Sequence, residues 1–313
     1  MAKEIREAFG EALVKYGKDN KDIVVLDADV SSSTKSCLFA KAYPDRFFNV
    51  GIAEANMVAM AAGLSAEGKI PFANTFAVFI TSIGLIAART CGSYSKMNIK
   101  LCGAYAGLSD AYDGPTHHAL EDMAIMRALP GFQVYVASDE YVTDWMVKHA
   151  IEDPHPMYLR LSRDAMPTLY NENTVFEAGK GYVVREGSDV TIIACGMMVS
   201  QSLKAAEALS AEGINARVVD MYSIKPIDRA LILESAACTG CVVTVEEHNI
   251  IGGLGGAVAE ALTSGNARVP QVFVGMRDTH AECGQYSKLL SKYCIDATAI
   301  LRAAQDAVAL KTV

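Results

Sequence analysis

Short apolar runs alternate with stretches of helical periodicity from Ile23 to Leu161, and this alternation restricts the fold more than any other feature of the chain. The runs Ile23–Leu26, Phe47–Val50, Ile70–Thr75, Ile99–Ala104, Gln133–Ala137 and Met157–Leu161 read as strands. Between them the spacing predicts a short helix ending before Pro44, then Glu54 to about Glu67, Phe76 to about Tyr94, Leu120–Ala128 and Glu140–Ile151. A helix from about Ala2 to Tyr16 precedes them. Strands that alternate with helices form a mostly parallel sheet, because parallel neighbours need right-handed crossovers that cover its faces. The pattern lapses in Pro, Asn, Thr and Glu after Arg163 and resumes with strands at Val190–Cys195, Ala216–Asp220, Cys241–Glu246 and Gln271–Val274. Helices at Val199–Glu212 and Gly253–Leu262, and two at the end of the chain, complete the second unit. The chain therefore reads as two α/β domains, 1–165 and 179–313, joined by a linker at 166–178. Each is expected to be a mostly parallel sheet with helices on both faces.

Composition removes several function classes. A formal net charge of -8 argues against a general nucleic-acid surface. The longest apolar run, Phe76–Ala88, is interrupted by Thr81, Ser82 and Gly84 and is too short to span a bilayer. The first residues form a charged amphipathic stretch, unlike a signal peptide. Eight scattered cysteines suit free thiols in a reducing cytoplasm. Cys238 and Cys241 form an isolated pair, whereas a zinc site needs four ligands. The glycines at 252, 253, 255 and 256 fail the dinucleotide spacing because Val258 takes the last position. Their expected use is close helix–strand packing.

Glu54 opens a helix in which Ala53, Met57, Met60, Ala61 and Leu64 recur at helical spacing. Val58 and Ala62 widen the apolar surface, so this helix reads as buried nearly all round. A glutamate there is either a carboxylate favoured by a helix N-terminus or a buried acid whose proton is used in chemistry.

Three stretches in order resemble the thiamine-diphosphate enzymes, specifically the C-terminal half of transketolase. They are Asn49-Val50-Gly51-Ile52-Ala53-Glu54-Ala55-Asn56-Met57, Ala73-Asn74-Thr75-Phe76-Ala77-Val78-Phe79 and Asp113-Gly114-Pro115-Thr116-His117-His118-Ala119-Leu120-Glu121-Asp122. Further similarity runs through Leu161-Ser162-Arg163 and Val245-Glu246-Glu247-His248, so the resemblance covers essentially the whole chain. It implies a pyrimidine-binding domain followed by the transketolase C-terminal domain. The family's diphosphate-binding domain carries a Gly-Asp-Gly motif that holds magnesium, and this sequence has none; Asp27-Ala28-Asp29 lacks both glycines. The implied partner is an N-terminal transketolase subunit carrying Gly-Asp-Gly, in an α2β2 heterotetramer.

The resemblance also implies roles. Glu54 would hydrogen-bond the cofactor's pyrimidine ring and so assist loss of the thiazolium proton, preferring its protonated form in an apolar setting. Phe76 and Phe79 would stack on that ring. His117 would contact the donor carbonyl region, Asp113 a sugar hydroxyl, and Arg6, Ser33 and Arg163 the terminal anion of a sugar phosphate. His118 is either a second contact or only a neighbour. The chain departs from the family near the end of the strand after Met97, where many transketolases place a histidine; here Gly103-Ala104-Tyr105-Ala106-Gly107 has none, and Tyr105 is the nearest polar residue. That departure admits a sulfonated or branched sugar in place of the usual pentose phosphate. The expected activity is transfer of a two-carbon ketol unit by a cytoplasmic enzyme that needs its partner. The alternatives are a beta subunit of a 2-oxoacid dehydrogenase's decarboxylating component, half of a deoxyxylulose-phosphate synthase, or a non-catalytic scaffold. Arg163 and the run Ala119–Ala124 favour transketolase.

Overall fold

The computed structural model describes residues 2–311. Its first sheet draws on β2 (Ile23–Asp27), β3 (Phe47–Asn49), β4 (Ile70–Phe76), β5 (Lys100–Ala104), β6 (Gln133–Val136) and β7 (Met157–Arg160), all parallel, in the order 6-7-5-4-2-3. A two-stranded ribbon pairs β1 (Lys3–Glu4) antiparallel with β8 (Ala165–Met166). The second sheet contains β9 (Tyr182–Arg185), β10 (Val190–Ala194), β11 (Ala216–Asp220), β13 (Val242–Asn249) and β14 (Gln271–Met276), parallel except for β9. One strand from the second half, β12 (Ser223–Lys225), crosses back and adds antiparallel to β6 at the edge of the first sheet.

The central strands are buried on both faces, and successive residues serve opposite layers, as a period of two requires. Val25, Phe72 and Cys102 face the layer of α1 (Ile5–Gly17), α3 (Cys37–Ala42) and α8 (Glu140–Glu152). Leu26, Ala73 and Leu101 face the layer of α4 (Glu54–Ala66) and α7 (Asp122–Ala128). That second core continues into the other domain through Ile193, Val219, Ile232 and Val258, so the two sheets share one apolar interior. The second domain's other face packs under α9 (Met197–Ala211) and α13 (Ala297–Leu310).

Three local features depart from the sequence reading. The helix expected over 76–94 is broken into α5 (Ala77–Ser82), α6 (Leu85–Ala87) and a π-helical segment, Ala88–Tyr94. Thr81 and Ser82 donate back to the carbonyls of Ala77 and Val78, which competes with regular helix bonding just before the break. The helix α10 (Arg229–Thr239) was without a sequence assignment, although Asp228 caps it by accepting from Leu231 N and Gly240 ends it at φ +74°. Finally, α4 is not buried all round. Met57, Val58, Ala61 and Ala62 face the core, but Ile52 just before the helix is 82% exposed and Met60 is 38% exposed. Ile83, Ile86 and Tyr94 on the adjoining broken helix are also exposed, leaving an uncovered apolar surface on these neighbouring elements. Among the described residues no helix is long and apolar enough to cross a membrane.

Candidate active site

Parallel strands deliver their carboxyl ends to one edge of a sheet, and ligand sites of open α/β folds gather there. Five strands do so here. β2 ends at Asp27, a buried carboxylate that accepts from Val30 N, Thr34 Oγ1 and Ser36 Oγ at 2.7–2.8 Å and so shapes the turn bearing Ser33. β3 ends at Asn49, whose amide bridges to Asp29 and whose oxygen accepts from Gly51 N. Gly51 turns the chain at φ +72°, and α4 begins three residues later at Glu54. β4 ends at Phe76, β5 leads into Tyr105, and β7 leads into Arg163.

Glu54 is 3% exposed, and its side chain makes no hydrogen bond or ion pair among the described residues. Its carboxylate oxygens are not among the fully enclosed, unpartnered polar atoms, so they stay accessible at the sheet edge and open to a ligand. An aromatic cluster stands at the same sheet edge. Phe76 lies 4.6 Å from Tyr105 and 5.9 Å from Phe79, centroid to centroid. His117 presents its ring edge to Phe79 at 5.1 Å and its Nδ1 lies 3.0 Å from Thr116 Oγ1.

Tyr105 joins this cluster to a pair of arginines. Its hydroxyl accepts from Arg6 Nη1 at 2.6 Å, and the guanidinium carbons of Arg6 and Arg163 lie 5.3 and 5.1 Å from its ring centroid. The β1–β8 ribbon sets Arg6 and Arg163 side by side, since the strands that pair flank both residues. Arg6 also donates to the carbonyl of Ser33 at 3.1 Å, so Ser33 enters the group through its backbone. The two arginines line a cleft of about 470 Å³ with Ser109, Tyr112 and residues 285–287 of the second domain. Glu4 and Asp164 also line it, and Glu4 pairs with Arg6 at 3.0 Å.

Asp113 and His117 sit on the loop that follows Tyr105. Asp113 is exposed and faces Asp110, which is fully buried and lies 3.6 Å from Arg163. Burial and the charge of Asp113 push Asp110 up to about 7 against the pull of Arg163. His118 is 3% exposed and faces the Asp110 backbone; burial lowers its pKa. It lies under the loop, away from the aromatic contacts made by His117.

A buried polar network ties this loop to the second domain. Arg160 pairs with Asp122 at 2.6 Å, and Tyr158 donates to the same carboxylate. Burial raises Asp122, but Arg160 and His248 outweigh it and hold the carboxyl below its usual range. Glu246 and Glu247 are neighbours in β13 with different uses. Glu246 accepts from Leu254 N and Gly255 N and so caps α11 (Leu254–Ser264). A Cβ on Gly253 would lie 1.9 Å from the Glu246 carboxylate, and one on Gly255 would meet Phe273 at 2.5 Å, which explains two of the clustered glycines. Glu247 points the other way, to Leu108 N and Tyr286 Oη, and burial pushes it up to about 7. The sequence reading attached no role to Glu247, Tyr286 or Asp110.

The fold and site define an α/β protein with an aromatic cluster, a buried glutamate without a protein partner and an arginine-lined cleft at the carboxyl edge of its first sheet. Residues 1–168 match the transketolase pyrimidine-binding domain and residues 179–300 match the transketolase C-terminal domain. The chain belongs to the transketolase family and corresponds to its C-terminal section. It is 41% identical to a putative transketolase C-terminal section from Methanocaldococcus jannaschii, covering 96% of this chain and 95% of that one. It is 38% identical to the 6-deoxy-6-sulfo-D-fructose transketolase subunit SqwH of Clostridium sp. (strain MSTE9), covering 96% and 94%. A solved structure described as a split gene transketolase, inactive beta4 tetramer, superimposes with a TM-score of 0.89 at 50% identity, covering 99% of both chains.

Proposed function

We propose that this chain is the C-terminal subunit of a two-subunit, thiamine-diphosphate-dependent transketolase that moves a two-carbon ketol unit between ketose and aldose phosphates. The observation that carries this reading is Glu54, a buried residue whose carboxylate has no protein partner, at the sheet edge that also carries the aromatic cluster of Phe76 and Phe79. Those residues fit the pyrimidine half of thiamine diphosphate. The sequence carries no Gly-Asp-Gly motif, and in this reading magnesium and the diphosphate fall to a partner that does. When bound, the cofactor supplies the electron sink that carbon–carbon cleavage beside a carbonyl requires.

This chain's residues then divide the work. Glu54 hydrogen-bonds the pyrimidine and holds a proton there. Phe76 and Phe79 fix the plane of that ring and exclude water from it. His117 and Asp113 orient the sugar through its carbonyl region and a hydroxyl, while Arg6, Arg163 and the Ser33 hydroxyl hold the terminal anion; the Ser33 carbonyl, an acceptor, serves Arg6 instead. The uncovered apolar side chains Ile52, Met60, Ile83 and Ile86 supply the surface for the partner subunit, since a patch of this kind marks an association site. The assembly in this reading is α2β2, two copies of each subunit. The inactive β4 form named for the solved relative agrees with a subunit that needs this partner. All eight cysteines are unpaired, which agrees with a cytoplasmic setting.

Reconstitution with a Gly-Asp-Gly subunit tests the reading. Ketose cleavage with transfer to an aldose supports it, and pyruvate decarboxylation without ketose cleavage would replace it with the 2-oxoacid dehydrogenase alternative. The anion at the end of the sugar is a finer question. The stretch 103–107, where the family usually has a histidine, has only Tyr105 as a polar residue, and a sulfo-sugar transketolase subunit is among the relatives. Sulfonated fructose is therefore expected to turn over at least as well as xylulose 5-phosphate, and a clear preference for xylulose 5-phosphate would contradict that.

A further inference from the structure

The loop from Ala106 to His118 carries Asp113 and His117, yet the second domain holds much of it in place. Leu108 N donates to Glu247 Oε1 at 2.5 Å, and Gly284 N donates to the Ala111 carbonyl at 2.9 Å. Asn249 N donates to the Leu120 carbonyl, just past the loop, at 2.7 Å. Steric fit is as close as the bonding. A Cβ on Gly107 would lie 2.5–2.7 Å from the Glu247 side chain, and one on Gly114 would lie 2.2 Å from Cys283 Sγ. Glu247 is itself fixed by Tyr286 Oη at 2.9 Å, while its backbone carbonyl accepts from Arg160. Tyr286 and its neighbours Gln285 and Ser287 also line the cleft that contains Arg6 and Arg163.

We propose that Glu247 of the C-terminal domain is a positioning residue for the substrate loop, and that Gln285–Ser287 form the outer wall of the anion cleft. The domain thereby sets how tightly the anionic end of the sugar is held. This rests on the transketolase reading and adds to it a role for a domain whose sequence motifs carry no assigned chemistry. Glu247 touches no substrate; it acts through the Leu108 amide and the Tyr286 hydroxyl. Gln285 acts directly, as an exposed neutral side chain at the rim.

The test uses the reconstituted complex with a ketose phosphate and with the same ketose lacking its phosphate. Glu247→Ala is expected to raise KM about tenfold for both ketoses, because Asp113 and His117 on the loop it holds read parts that the two sugars share, with little effect on kcat. Glu247→Gln restores it, because an amide can still accept from Leu108 N while the Tyr286 hydroxyl accepts from the amide. Gln285→Glu, at an exposed position where folding is not at stake, brings a like charge to the anion and raises KM about tenfold for the phosphorylated ketose but not for the other. No effect of Glu247→Ala on either sugar, or equal effects of Gln285→Glu on both, would overturn the proposal. If the unaltered complex shows no ketol transfer, the parent reading fails instead. Hydrogen exchange over residues 106–118 in the full chain then still decides the positioning claim. Faster exchange in Glu247→Ala but not in Glu247→Gln supports it, and unchanged exchange in both refutes it.

Discussion

Replacing Glu54 by glutamine lowers kcat for ketol transfer by about 10²–10⁴-fold, the range typical for loss of a positioned acid or base. The substitution keeps the shape of the side chain and its hydrogen-bonding reach. It removes only the ability to hold and release a proton at the cofactor's pyrimidine. Stability is not expected to fall, because Glu54 has no protein partner to lose and a neutral amide is cheaper to bury than a carboxylate. The melting temperature of the chain should therefore stay level or rise while turnover collapses. Circular dichroism melts alongside initial-rate kinetics check both halves. Unchanged turnover in Glu54→Gln would return weight to the scaffold alternative.

The arginines give the second large effect. Arg163→Ala and Arg6→Ala are each expected to raise KM for a phosphorylated ketose by about 10–100-fold, since each removes a charge-assisted donor from the anion. The ketose without phosphate should respond far less, because it presents no anion to the cleft. The two variants are not equivalent. Arg6 donates to Tyr105 and to the Ser33 carbonyl, so its loss also loosens the wall that Tyr105 shares with Phe76. Arg163→Ala removes the cation that faces the buried Asp110, and Asp110 then takes up a proton more readily. Steady-state kinetics on the two sugars separate these terms. Parallel losses on both would mean that the arginines support structure and not the anion.

Much of this architecture was legible in the sequence because it rests on local patterns. Strands buried on both faces show as short apolar runs, and six such runs gave the parallel strands of the first sheet. Glu54, Phe76, Phe79 and His117 lay in recognisable stretches, and the structure brings the last three into one aromatic cluster. Other features depend on distant partners. The ribbon of β1 with β8 has two residues in each strand, too few to carry a period, yet it aligns the arginines. β12 pairs across the domains through an irregular register. Apolarity marked α4 as buried but could not say by what; one side meets this chain's core and the other lies uncovered. Glu246 and Glu247 look alike in sequence. Period two in β13 sends one to cap α11 and the other to the substrate loop, a signal that was present and unused.

The central claim is that the cofactor site is completed by a second polypeptide. Titration calorimetry of thiamine diphosphate with magnesium, into this chain alone and then into its mixture with a Gly-Asp-Gly subunit, tests it directly. Tight binding only in the mixture is the predicted result. Tight binding by this chain alone would contradict it.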